Sequence, residues 1–173
     1  VLLEAVQHLA GRGLFPRVLF IGGPAEDDNP YFLDLRRRIR EGHLEKQIQF
    51  AGFMENPSHA VASAHVGVLC CDREGFGYVI VEAMACGTPV VAVDAGGPGE
   101  IVRHEETGLK FATDDAVQLA DALERILTDH ALYTKLRENG LRAAREEFSI
   151  QTHMHRLRQY FEQILQTPTC VRP

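Results

Sequence analysis

The sequence predicts a doubly wound, Rossmann-like α/β domain ending in a group of C-terminal helices. Three observations carry this. Short β-rich apolar runs alternate with longer helical patterns as far as residue 111, the order expected of a parallel sheet with crossover helices. The middle runs, VGVLCC at 66–71 and PVVAV at 89–93, are nearly continuously apolar, as strands covered on both faces are. From residue 114 onward only helical patterning remains. The 173 residues, 45% apolar and 24% charged, suffice for one domain with a substantial core.

The elements follow in order. A helix at 1–10 precedes a strand at 17–21 (RVLFI). A helix at 31–42 sets Phe32, Leu35 and Ile39 on one stripe and leaves Arg36, Arg37, Arg38 and Arg40 largely outside it, a solvated face. A strand at 47–51 (QIQFA), a short helix at 57–64 and the strand at 66–71 come next. The helix at 78–86 ends at Gly87, a C-terminal cap, with Pro89 preventing continuation into the strand at 89–93. A short helix at 101–102 carries Glu100 near its start, where a carboxylate interacts with the helix dipole. A strand at 109–111 closes the sheet, and helices at 114–127, 130–147 and 149–166 complete a domain spanning 1–166. Residues 167–173 read as a frayed tail.

Composition excludes several functions. The net charge of −6 argues against a nucleic-acid partner held by phosphate contacts. No apolar run reaches the roughly 18 residues needed to cross a membrane, and no signal peptide is visible. Cysteines at 70, 71, 86 and 170 suit neither a disulfide framework nor a zinc site, and point to a reducing, cytoplasmic setting. His153 and His155 do not share a helix face, and His8, His43, His59 and His65 lack ligand spacing. No metal site and no cofactor are expected.

The segment from Glu74 to Pro89, EGFGYVIVEAMACGTP, is the most informative in the chain. Gly75 and Gly77 precede a helix and let backbone N–H groups approach an anion at its N-terminus. Glu82 follows Glu74 by eight positions, inside a run of Val79, Ile80, Val81, Ala83, Met84, Ala85 and Cys86 that predicts burial on most sides. A buried carboxylate needs hydrogen-bond donors, and hydroxyl-rich ligands supply them. Phosphate plus hydroxyls describes a sugar nucleotide. The turn lies at the carboxyl end of a strand, where open α/β sheets bind ligands. The loops Gly22-Gly23-Pro24, Gly52-Phe53-Met54 and 94–100 leave other strands on the same side.

That segment, followed by GGPGEIV at 96–102, closely resembles the donor-binding domain of retaining GT-B glycosyltransferases of family four. The pair of glutamates with seven residues between them, the EAMAxGxP core and the downstream GGxxE all stand in order. VLFIGG resembles that family's second strand, IQFAGF its third, and FSI near 148 its final helix. The resemblance implies that Glu74 accepts hydrogen bonds from donor-sugar hydroxyls, with the Gly75-Phe76-Gly77 backbone on the sugar. It implies diphosphate on the N–H groups around Tyr78 and Val79, ribose hydroxyls on Glu82, and the base beside Phe53 and Met54. No metal is implied.

The chain departs from the family at Ala64-His65-Val66, where Ala-Asp-Val is common, and at Cys70-Cys71, where Pro-Ser is. Val1-Leu2-Leu3-Glu4-Ala5 resembles the helix after a Gly-Arg strand and a Lys-Gly that hold the leaving diphosphate. The expectation is therefore a domain cut from a longer protein, without its first strand and its N-terminal acceptor domain, and inactive alone. The parent would pass a hexosyl group from a nucleotide-diphosphate sugar to an acceptor sugar, lipid or small molecule, in the cytoplasm or at a membrane periphery. The last helix would cross to the acceptor half, leaving Tyr160, Phe161, Ile164 and Leu165 partly exposed here.

Other readings remain. A glycosidase pair also needs two carboxylates, but a nucleotide-type sheet fits it poorly. A classical dinucleotide binder would want GxGxxG after the first strand, which Gly22-Gly23-Pro24 lacks. A non-catalytic partner-binding module on the same fold and a nucleotide-sugar epimerase are the alternatives to transfer.

Overall fold

The computed structural model describes residues 1–23 and 29–166. Its elements are α1 (Leu2–Gly11), β1 (Val18–Ile21), α2 (Pro30–Glu41), β2 (Ile48–Gly52), α3 (Ser58–Ser63), β3 (Gly67–Leu69) and α4 (Tyr78–Ala85). Then follow β4 (Val90–Val93), α5 (Gly96–Ile101), β5 (Leu109–Phe111), α6 (Ala116–Thr128), α7 (His130–Glu146) and α8 (Ile150–Gln166). Apart from α5, these form close to where the pattern placed them. The tail at 167–173 and Pro24 of the first rim loop lie outside the described residues.

Local chemistry sets several boundaries. The Asn29 side chain accepts hydrogen bonds from the Tyr31 and Phe32 amides at 3.0 and 3.3 Å, and Pro30 occupies the first helical position of α2, where its missing N–H costs nothing. Asp115 caps α6 through the Gln118 amide at 2.8 Å. Asp129 ends α6 and caps α7 through the Leu132 amide at 2.9 Å.

All strand pairings are parallel: β1 with β2, and β3 with β4 with β5. β4 is buried along its whole length. Its Val91 and Val93 pack with Ala5 and Leu9 of α1 and Leu119 and Leu123 of α6. Its Val90 and Ala92 face Ile80, Ala83 and Met84 of α4 and Ala144 of α7. Helices thus cover both faces of the sheet, each fully buried Val or Leu contributing roughly 1.5–3 kcal/mol of transfer free energy.

The strands form two hydrogen-bonded groups rather than one continuous sheet. The Val18 amide donates to the Gln47 carbonyl at 2.7 Å, and the Gly67 amide to the Pro89 carbonyl at 2.9 Å. Successive residues of a strand direct their backbone groups to opposite sides, so those of Leu19 and Val68 point to the edges of β1 and β3 that pair with no other strand among the described residues. α1 spans both groups, packing Ala5 and Leu9 with β4 and β5, and Leu3 and Val6 with Ile48 and Val18.

Two expectations are corrected. Helix α5 begins at Gly96, so Glu100 sits in its last turn, where the dipole offers a carboxylate no stabilisation. Pro98 falls in the first turn, where a residue without an N–H is tolerated, and this allows the early start. Helix α4 is not buried on most sides. Tyr78 and Val79 are 70% and 53% exposed, and Glu82 and Ala85 are exposed with them. These positions form one stripe that no element of the described residues covers, whereas Ile80, Ala83 and Met84 supply the buried side. Gly67 and Gly140 let α4 lie close to β3 and α7. A Cβ on either would come within 3.2 Å of Ala83 Cβ or 3.3 Å of Met84 Cγ.

Helix α8 leaves Ile150, Met154, Leu157, Tyr160, Phe161, Ile164 and Leu165 exposed, most of them on one amphipathic stripe. The exposure expected of its last two turns is present. A shallow apolar groove of about 290 Å³ is lined, among the described residues, by α8 side chains including Met154, Phe161 and Leu165.

Candidate functional site

The turn from Glu74 to Gly77 leaves β3 at its carboxyl end and is held at two backbone points. The Glu74 carboxylate accepts the Gly77 amide at 3.2 Å, and its carbonyl accepts the Gly97 amide at 3.1 Å. Gly77 adopts φ 91°, a left-handed conformation that favours glycine. A Cβ there would also lie 3.1 Å from Pro98 Cγ. α4 therefore starts with no side-chain cap. The Ile80 amide is taken by the Gly77 carbonyl at 2.9 Å. The Tyr78 and Val79 amides, in the first turn, have no intrahelical acceptor, and the helix dipole makes this end favourable for an anion.

The loop after β4 lies directly against that turn. A Cβ on Gly97 would meet the Gly75 and Phe76 carbonyl oxygens and Phe76 Cα at 2.5 Å, and one on Gly96 would meet the Glu74 carbonyl at 2.7 Å. Only glycines permit this backbone-to-backbone approach. The Phe76 ring lies 4.8 Å from Tyr78 and edge-on to Phe148 at 6.2 Å, so the turn also rests on the segment between α7 and α8.

The sequence-predicted residues fall into two places. Glu74, Gly75, Phe76, Gly77, Tyr78, Val79 and Glu82 share the turn and the open stripe of α4. The Glu82 carboxylate has no protein hydrogen bond or ion pair among the described residues, so it is available from solvent rather than buried. Phe53 and Met54 stand after β2, with Phe53 87% exposed. The Gly22 amide donates to the Gly52 carbonyl at 2.8 Å, joining the loops after β1 and β2. No hydrogen bond among the described residues joins that pair of loops to the β3–β4 pair.

Burial pushes the Cys70 thiol, at the end of β3, up to about 11, so it stays protonated and inert near neutral pH. Among the described residues, no group of three or more His, Cys, Asp and Glu side chains could hold a metal ion. Sequence reasoning missed Lys110, whose Nζ donates to Asp94 Oδ1 at 2.7 Å and to the Gly99 carbonyl at 3.2 Å. The available signal was a lone charge between Leu109 and Phe111 in a three-residue strand.

The profile of the family described as glycosyl transferases group 1 matches residues 1–143. The chain belongs to the glycosyl transferases group 1 family. It is 33% identical over 148 residues to the lipopolysaccharide core biosynthesis glycosyltransferase LpsE of Rhizobium meliloti, covering 86% of this chain and 41% of that one. It superposes on Anabaena Alr3699/HepE in complex with UDP with a TM-score of 0.85 at 25% identity, over 94% of this chain and 44% of that one. The same protein in complex with UDP-glucose gives a TM-score of 0.83. The C-terminal domain of a glycosyl transferase group 1 family protein from Francisella tularensis gives 0.74 at 27% identity, over 86% of this chain and 77% of that domain. The chain thus spans well under half the length of the curated relatives it matches, 41% of LpsE and 32% of N-acetyl-alpha-D-glucosaminyl L-malate synthase from Bacillus anthracis.

Proposed function

We propose that this chain is the donor-binding half of a retaining glycosyltransferase that moves a hexosyl group from a nucleotide-diphosphate sugar to an acceptor hydroxyl. One observation carries the reading: an uncapped α4 N-terminus with open Tyr78 and Val79 amides, flanked by Glu74 in the turn and by the exposed Glu82 on the same helix. Two hydrogen-bond-accepting carboxylates on either side of an anion site suit a ligand with hydroxyls on either side of a diphosphate. Glu74 takes sugar hydroxyls, the Gly75-Phe76-Gly77 backbone lines the sugar, the amides take phosphate, and Glu82 takes ribose. Phe53 and Met54 flank the base. The UDP and UDP-glucose complexes of HepE support a nucleotide sugar as the ligand class.

In the reaction, the bond from the anomeric carbon to the diphosphate breaks as the acceptor oxygen bonds that carbon on the same face. The hydroxyl proton passes to the departing phosphate oxygen. Charge grows on that phosphate, where the α4 N-terminus stabilises it; no metal is required for this step. The free edges of β1 and β3, bridged by α1, fit a parallel strand preceding α1 in the parent, as right-handed β–α–β crossovers require. That strand would bring cationic groups to the same rim. The open face of α8 fits packing against the acceptor half. Free thiols at Cys70, Cys71 and Cys86 suit a cytoplasmic setting, and no helix of the described residues is long and apolar enough to cross a membrane.

Calorimetric titration of the full-length protein with UDP-, GDP- and ADP-sugars tests this. At least one binds, and Glu82→Gln weakens it by about tenfold or more, the worth of a hydrogen bond to a charged group. Absence of binding by all three sinks the reading.

A further inference from the structure

We propose that Lys110 is a positioning residue for the sugar-contacting turn: from β5 it clamps the loop after β4, and that loop holds Glu74 in place for the donor. The inference rests on the nucleotide-sugar reading above. Lys110 is anchored from both sides of its strand, with its backbone in register with Ala92 of β4 and its amide donating to His104 Nδ1 at 2.9 Å. Leu109 and Phe111 are buried on one face of β5, which sends the Lys110 side chain to the other.

There its ammonium group donates to Asp94 at the start of the loop and to the Gly99 carbonyl inside α5, at 2.7 and 3.2 Å. The two acceptors, five residues apart, are thereby drawn together. Gly99 permits the closure, because a Cβ on it would lie 3.2 Å from Asp94 Oδ1. Gly96 and Gly97 lie within the clamped segment. The Gly97 amide reaches the Glu74 carbonyl at 3.1 Å, and the Glu74 carboxylate reaches the Gly77 amide at the head of α4 at 3.2 Å. A continuous series of hydrogen bonds and backbone contacts therefore runs from the rigid edge of the sheet to both groups proposed to hold the donor. Asp94 is 53% exposed on its side chain and Lys110 is 21% exposed. As a mere ion pair, such a contact adds little to global stability; as a clamp, it fixes where Glu74 stands.

The test uses Lys110→Met, Lys110→Arg and Asp94→Asn in the full-length protein. Calorimetry with UDP-glucose, GDP-mannose and ADP-glucose is paired with amide exchange over 72–79 and 94–101. For Lys110→Met we expect faster exchange at the Gly97 amide, donor affinity weaker by about tenfold, and Tm within about 3 °C of wild type. Lys110→Arg should restore part of the affinity. If Lys110→Met does not fold, Asp94→Asn, which keeps its side-chain size, carries the test. Unchanged exchange and unchanged affinity overturn the clamp, as does a large Tm loss with exchange raised throughout the chain. Should wild type bind none of the three nucleotide sugars, the donor reading fails, and exchange at Gly97 still decides whether Lys110 holds the loop.

Discussion

Gly97→Ala probes the contact between the two site loops, and its effect can be worked from the geometry. The new Cβ would sit 2.5 Å from three backbone atoms, the carbonyl oxygens of Gly75 and Phe76 and Phe76 Cα. None of these belongs to a flexible side chain, so the loops themselves must part. Forced overpacking of this kind costs about 1–3 kcal/mol. Parting also breaks the Gly97–Glu74 hydrogen bond, worth about 1 kcal/mol. Alanine returns about 0.4–1 kcal/mol by restricting the unfolded chain. The net loss is about 1–3.5 kcal/mol, or a Tm fall of about 2–14 °C for a domain of this size. Gly75→Ala is the matched control, since nothing lies within 4 Å of its Cβ position and its backbone is not left-handed. It should hold Tm or raise it by a few degrees while weakening the donor, whose sugar is proposed to lie on that backbone. Differential scanning of both variants decides the matter. A Gly97→Ala protein that melts with wild type, or a Gly75→Ala protein that loses as much, refutes the packing account.

Three further outcomes are expected. At pH 8, exposed Cys71 should react with iodoacetamide while Cys70 resists; because burial raises the Cys70 pKa from 9.0 to about 11, its contribution to stability is lost as pH rises across that window, and equal labelling at pH 8 would contradict it. Phe161→Ser with Leu165→Ser should leave the urea midpoint of this chain nearly unchanged, since both are exposed, yet destabilise the full-length protein; a large shift in the chain alone would mean that α8 packs inward. In this chain the Leu19 and Val68 amides should exchange faster than the Val18 and Gly67 amides, and in the full-length protein they should become protected; equal rates within each strand here would contradict the free edges.

The sequence carried the elements well, because continuous apolar runs such as VVAV and stop signals such as Gly87 with Pro89 are local. It did not reveal which faces neighbouring elements would cover. The apolar run through Glu82 predicts burial, yet Tyr78, Val79, Glu82 and Ala85 fall on the side of α4 that none of the described residues covers. Hydrophobicity fixes how much surface seeks cover, whereas topology decides what is available to cover it. The division into two strand groups was hidden for the same reason: no residue in β1 or β3 states which strand lies beside it. Glu100 falls in the last turn of α5 because GGP begins that helix through backbone geometry that carries no hydrophobic signal, so the apolar pair Ile101-Val102 marks its end rather than its start. Lys110 was visible as an anomaly, but its acceptors lie 11 and 16 residues away along the chain, a spacing with no meaning until the strands are aligned.

The two carboxylates of the site differ in kind. Glu74 is tied through its carbonyl to Gly97 and through its side chain to Gly77, so much of its ordering entropy is already spent in folding. Glu82 has no such ties, and binding a ligand must freeze its rotamers at a cost of up to about 2 kcal/mol. Preorganisation of that sort governs affinity more than contact area does. Substituting Glu74 should therefore disturb both the turn and the ligand, because its carboxylate also positions the amide at the head of α4. Substituting Glu82 should disturb the ligand alone. The asymmetry follows from the packing: the sugar end of the site is built against a second loop by two glycines, whereas the ribose end stands on an open helix face.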